Sequence, residues 1–149
     1  MVEIDIVYQG ALRCLATHQP SGQVLITDAP KDNHGKGESF SPTDLVATGL
    51  GACMLTIMGI AAQLMRLDIT GTQIVVRKEM IANPVRRIGK LAVKIDVPHQ
   101  LSDEQKKKLI DAAMTCPVHQ SLHPDIQKPI DFHWGSMYQR EVIMENNQK

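Results

Sequence analysis

The N-terminal residues alternate in polarity. Val2, Ile4, Ile6 and Tyr8 interleave with Glu3, Asp5, Val7 and Gln9, the two-residue period of a strand with one buried face. Gln9-Gly10 can turn the chain into a second strand over about Ala11 to Thr17, and His18-Gln-Pro-Ser-Gly22 into a third over Gln23 to Thr27. An antiparallel meander is predicted. A loop follows over Asp28 to Ser39, where Pro, Asn and two Gly break any period. Ser41-Pro42 then opens a helix: the serine hydroxyl can cap it, the proline sits where its missing N–H is harmless, and Asp44 suits the positive end of the helix dipole. From Leu45 to Met65 no residue is charged. A run of that length is also a candidate membrane span. Gly, Thr and Gln positions and four alanines dilute its transfer energy, so a fully buried central helix is expected and a membrane is not.

Beyond Arg66, the stretch from about Thr72 to Ile81 reads as a strand, broken by Asn83-Pro84. Ile88, Leu91, Val93, Ile95 and Val97 outline its hairpin partner, with Arg86 and Arg87 at the tip. Ser102 with Gln105 forms a capping-box pattern for a helix running through Met114. Cys116-Pro117 interrupts it and starts a short second helix that stops at His123-Pro124. Ile130, Phe132 and Trp134 alternate in a closing strand. The order βββ-α-ββ-α-α-β segregates strands from helices, which predicts an α+β fold.

Composition narrows the function classes. With 149 residues, the chain fits a single domain over residues 1–149. Sixteen basic residues balance sixteen acidic ones, a poor match for phosphate backbones or anionic lipid. One Trp, two Tyr and two Phe leave little for stacking on bases, so no nucleic-acid partner is expected. The three cysteines show no CxxC spacing and an odd count, which argues against a disulfide scaffold. The acidic, alternating N-terminus is unlike a secretory signal. A reducing cytoplasm is the expected compartment.

Two of the three cysteines stand in positions that invite chemistry. Cys53 lies about three turns into the uncharged helix, either a small buried hydrophobe or a working thiol. Cys116 precedes a proline suited to a first helical position, so its sulfur is expected near free N–H groups that favour thiolate and lower its pKa. Cys14, beside Arg13 on a strand, has no such support. Cys116, His119 and His123 share a helical face, but three ligands without a second cluster make a weak metal site, and no cofactor is expected. His119 is better read as a local partner of the Cys116 sulfur. Two thiols on separate helices, with an arginine available from a strand, suit peroxide reduction. One thiolate attacks the O–O bond and becomes a sulfenic acid, and the second thiol condenses with it to a disulfide.

Phe40-Ser-Pro-Thr-Asp-Leu-Val-Ala-Thr-Gly-Leu-Gly-Ala-Cys53, followed by Thr115-Cys-Pro-Val-His119, resembles the OsmC/Ohr family, the osmotically inducible and organic hydroperoxide resistance proteins. The resemblance covers nearly the whole chain. It implies an intertwined homodimer with buried central helices and sites at the dimer interface. It also implies thiol-dependent reduction of organic hydroperoxides, with dithiols as reductants. Cys53 matches the attacking cysteine, Cys116 the resolving one, and Arg13 the activating arginine. The family's best-characterised peroxidases hold that arginine with a glutamate after the helix-opening proline. Thr43 stands there in this chain, leaving Asp44 or Glu38 as substitute carboxylates. The missing glutamate keeps a second reading open, a non-catalytic protein of the same fold that binds an apolar ligand or senses redox state.

Overall fold

The computed structural model describes residues 1–135, so the end of the expected domain, 136–149, lies outside the described residues. Strands β1 (Ile4–Gly10), β2 (Arg13–His18) and β3 (Val24–Thr27) form one antiparallel sheet in that order. Helix α1 (Pro42–Leu64) follows. Strands β4 (Gln73–Ile81) and β5 (Arg87–Val97) make a hairpin, α2 (Asp103–Met114) and α3 (Pro117–Ser121) succeed it, and β6 (Ile130–Trp134) closes the second sheet parallel to β5. The α+β order matches the one read from the sequence.

Local chemistry explains the element boundaries. At the start of α1, Ser41 Oγ accepts from the Asp44 N–H at 3.1 Å, while the Asp44 carboxylate accepts from the Ser41 N–H at 2.9 Å. This reciprocal box satisfies donors that a helix N-terminus otherwise leaves open. Ser102 and Gln105 repeat it at α2, at 3.2 and 2.9 Å. The β1–β2 turn passes through Ala11 and Leu12, both in left-handed backbone conformations, and delivers Arg13 as the first residue of β2.

The apolar core is built on one stripe of α1. Ala47, Leu50, Met54, Met58 and Ala62 recur at helical spacing and are buried with Leu91, Val93, Ile95 and Val97 of β5 and Leu109 and Ala113 of α2. Two expectations are corrected here. The central helix is not fully buried within its own chain: Val46, Ile60 and Leu64 are exposed, and nothing lies within 4 Å of where a Cβ would stand on Gly49 or Gly59. The helix is long and apolar enough to cross a membrane by length and composition, with a mean hydropathy of 2.0 and 33% of its most apolar window buried. Nor is β1 half-buried. The core contains no residue from Met1 to Phe40, and Ile4, Ile6 and Tyr8 are exposed. The alternation is a sound sign of a strand, but among the described residues no element covers its apolar face.

Leu50 is completely enclosed. Leu50→Ala is expected to lower unfolding free energy by about 2–5 kcal/mol, read from urea denaturation. A loss below about 1 kcal/mol would show that the α1 stripe is not the centre of the core.

Candidate functional site

The α1 stripe that fixes the core also fixes the cysteine pair. Cys53 is half-buried and packs on the core from α1. Cys116 is fully buried between α2 and α3, where it caps α3, with Pro117 at the first helical position. Its Sγ accepts from the His119 N–H at 3.4 Å. The Cys116 thiol also lies close enough to that of Cys53 for the two to interact. Two residues 63 positions apart in sequence thus meet at one point, both as free thiols.

The electrostatics of Cys116 reverse the expectation from its position. Burial is the largest influence and pushes the thiol above its ordinary value. The neighbouring Cys53 thiol adds to the rise, and the N–H groups of His119 and Val118 pull it back by less. A helix of five residues has little dipole to set against desolvation. Cys116 is therefore a neutral thiol at neutral pH. His119 meets the sulfur through its main chain, while its ring Nδ1 is buried with no partner. Burial, then Lys128, holds the His119 ring below the usual histidine value, so the ring is neutral. His123 engages Asp125, whose N–H it accepts at 3.1 Å. No group of three or more His, Cys, Asp or Glu among the described residues is arranged to hold a metal ion.

Arg13 lies elsewhere in the chain, on the uncovered sheet. Its guanidinium pairs with Glu38 and stands 3.6 Å from Asp28 Oδ2. Of the two candidate carboxylates, Glu38 is therefore at the arginine. Asp44 is not: it pairs with Lys78 at 2.7 Å, and Lys78 also donates to Thr43 Oγ1 at 2.7 Å. Burial raises the Asp44 carboxyl, but bonds from Lys78 and Ser41 outweigh it and hold the net value below the ordinary one. Asp44 and Lys78 line a 580 Å³ cavity between α1 and β4 together with Ala47, Gly51, Leu55, Ile74 and Val76. Cys14 lies on β2 opposite Tyr8 and Thr27, on the sheet that carries Arg13 rather than with the other two thiols.

Sequence reasoning missed Lys78 and Asp28. Lys78 sits in β4, and its partners are 34 to 37 residues away. Asp28 sat in a segment that reads as turn chemistry. Its one signal was an acidic residue placed directly after an apolar strand, where the chain leaves the sheet.

With this geometry in view, comparison with known proteins is decisive for the family. The profile of the OsmC-like protein family matches residues 35–128. The structure aligns with that of a Psychrobacter arcticus protein provisionally named for osmotic stress induction and a detoxification response. The two share 48% identity over 89% of this chain and 96% of the other, at a TM-score of 0.84. An OsmC-like protein from Mycoplasma pneumoniae shares the fold at 18% identity and a TM-score of 0.77, covering 91% and 98% of the two chains. So does an organic hydroperoxide resistance protein from Legionella pneumophila, at 14% and 0.73, covering 89% and 96%. No curated protein matches the chain. The matched profile spans the loop, α1, the hairpin and both cysteines of the pair, and on that ground the chain belongs to the OsmC-like family.

Proposed function

We propose that this protein is a homodimeric thiol peroxidase acting on organic hydroperoxides in a reducing, cytoplasmic compartment. The observation that carries this reading is the juxtaposition of the free Cys53 and Cys116 thiols at the α1–α3 junction, where both pack on one core. Cys53, the less buried of the two, is the attacking thiolate. It takes the distal oxygen of ROOH, the O–O bond breaks, and the alkoxide leaves and is protonated to the alcohol, giving Cys53–SOH. Cys116, held as a neutral thiol, then displaces the hydroxyl. The S–S bond forms and water leaves with the Cys116 proton. A dithiol returns both sulfurs to thiols and is itself oxidised to a disulfide. The neutral state of Cys116 suits this order, since a buried second thiolate beside Cys53 would repel the charge needed for attack.

The dimer supplies what the single chain lacks. Direct strand pairing puts Ile6, Ala16 and Leu25 in one row on the N-terminal sheet, and Ile6 and Leu25 are 66% and 44% exposed. An apolar sheet face and an uncovered face of α1 in the same chain suit mutual burial between two copies. In this arrangement the sheet of one protomer lies over the core of the other, and Arg13 reaches the thiols across the interface. There it stabilises the Cys53 thiolate and polarises the peroxide.

Cumene hydroperoxide is expected to consume two of the three thiols per chain and leave a Cys53–Cys116 disulfide by mass spectrometry. Cys53→Ser should abolish the reaction, Cys116→Ser should stop at a dimedone-reactive Cys53 sulfenic acid, and Cys14→Ser should behave as wild type. No disulfide, together with no peroxide consumption in the presence of dithiothreitol, would sink the enzyme reading. Light scattering is expected to give twice the chain mass for the wild type. The double variant Ile6→Asp, Leu25→Asp should lose the dimer. A dimer unchanged by both substitutions would place the interface elsewhere.

A further inference from the structure

Arg13 is held by two carboxylates of very different character. Glu38 is 57% exposed, whereas Asp28 is 1% exposed, and the arginine itself is 32% exposed. A pair made on the surface is weak and screened by solvent. A buried carboxylate is another matter, because it is costly to leave without a positive partner.

Asp28 is also the closing point of the loop that follows β3. Its Oδ2 accepts the Glu38 N–H at 3.0 Å, and its own N–H donates to the Phe40 carbonyl at 3.0 Å. Gly37 N–H to the Ala29 carbonyl at 3.2 Å and Ser39 Oγ to the Ile26 carbonyl at 2.8 Å complete the closure. Asp28 therefore sets where Glu38 stands as well as facing Arg13 directly. Its carboxyl lies below the ordinary aspartate value, chiefly through the Glu38 N–H; burial opposes this, and Arg13, the Ala29 N–H and Lys36 lower it further. The second carboxylate oxygen, Oδ1, is buried and has no hydrogen-bond partner. It is an open acceptor on a carboxylate whose other oxygen stands 3.6 Å from the Arg13 guanidinium.

We propose that Asp28 is the carboxylate that positions Arg13 for the thiol pair, taking over in this chain the duty that Thr43 cannot perform. The inference rests on the reading of Arg13 as activator. Thr43 is uncharged and already bonded to Lys78, and Asp44 is committed to the same lysine. Asp28 is a positioning residue: it acts on the reaction only through where it holds the guanidinium.

A double-mutant cycle tests this, with peroxide consumption measured for the wild type, Arg13→Ala, Asp28→Asn and the double variant, each checked for wild-type circular dichroism and oligomeric state. Asp28→Asn is expected to slow the reaction by about tenfold, the scale of losing a group that orients a reacting-site residue. Arg13→Ala should slow it at least as much, and the double variant should match Arg13→Ala, because a residue acting through the arginine has nothing left to act on. Asp28→Glu, which keeps the charge, should recover most of the rate. Asp28→Asn at the wild-type rate overturns the proposal. So does a further loss when it is added to Arg13→Ala, or an Asp28→Glu variant as slow as Asp28→Asn. A wild-type rate in Arg13→Ala overturns the activator reading instead, and an inert wild type overturns both.

Discussion

The described residues carry more apolar surface than they cover among themselves, and that constraint governs the rest of the structure. Helix α1 has no charged residue after Asp44, yet one stripe alone is buried by β5 and α2. The second sheet and the two short helices are organised around that stripe, and the cysteine pair sits at its edge. The N-terminal sheet belongs to the same chain but not to the same core. Two uncovered apolar faces on one molecule are a hazard if left open and an assembly code if they match. The proposed dimer resolves both together, and it also brings the arginine and the thiols, which the single chain keeps apart, to a common place.

The thiol pair shows how burial and local dipoles compete. Cys116 has what lowers a cysteine pKa, a helix N-terminus with free N–H groups and a proline that fixes the first turn. Desolvation nevertheless prevails, because the helix has only five residues and the sulfur has no exposed surface. The outcome suits the resolving role proposed for Cys116. A group that must lie beside an attacking thiolate without competing for negative charge is best kept protonated until its partner has been oxidised. The neutral His119 ring adds no charge beside this thiol.

What could be read in the sequence was whatever is decided within a few residues. The Ser41 cap, the Ser102–Gln105 capping box, the proline-marked helix starts and the strand alternation of Ile130, Phe132 and Trp134 are local, and the structure has them where the pattern puts them; that Asp44 closes a second box with Ser41 was not read. The cysteine pair was legible through the two motifs that surround it. What failed was non-local. Alternation in Ile4, Ile6 and Tyr8 says that a face is apolar, not which chain buries it. The pKa of Cys116 depends on Cys53, 63 residues earlier. Lys78 contacts Thr43 and Asp44 only because β4 crosses the start of α1. Asp28 gave almost no signal, since a buried carboxylate and a turn-forming one look alike until the loop closes over one of them.

Thr43 illustrates how a family solution can move without changing the fold. A glutamate on the first turn of a helix is held rigidly by that helix, and its charge suits the helix dipole. In this chain the dipole is answered by Asp44, which also serves the cap, and Lys78 neutralises it from β4. A second carboxylate at position 43 would compete with Asp44 for the same lysine rather than reach toward the arginine. The loop after β3 offers a different scaffold for negative charge. It is closed by its own main-chain bonds, anchored by a buried aspartate and adjacent to the first residue of β2. Rigidity there comes from closure instead of helical pitch. In the proposed dimer a carboxylate and arginine that share one sheet and one loop travel together as that sheet docks, so the pair is oriented before the protomers meet rather than assembled across the interface.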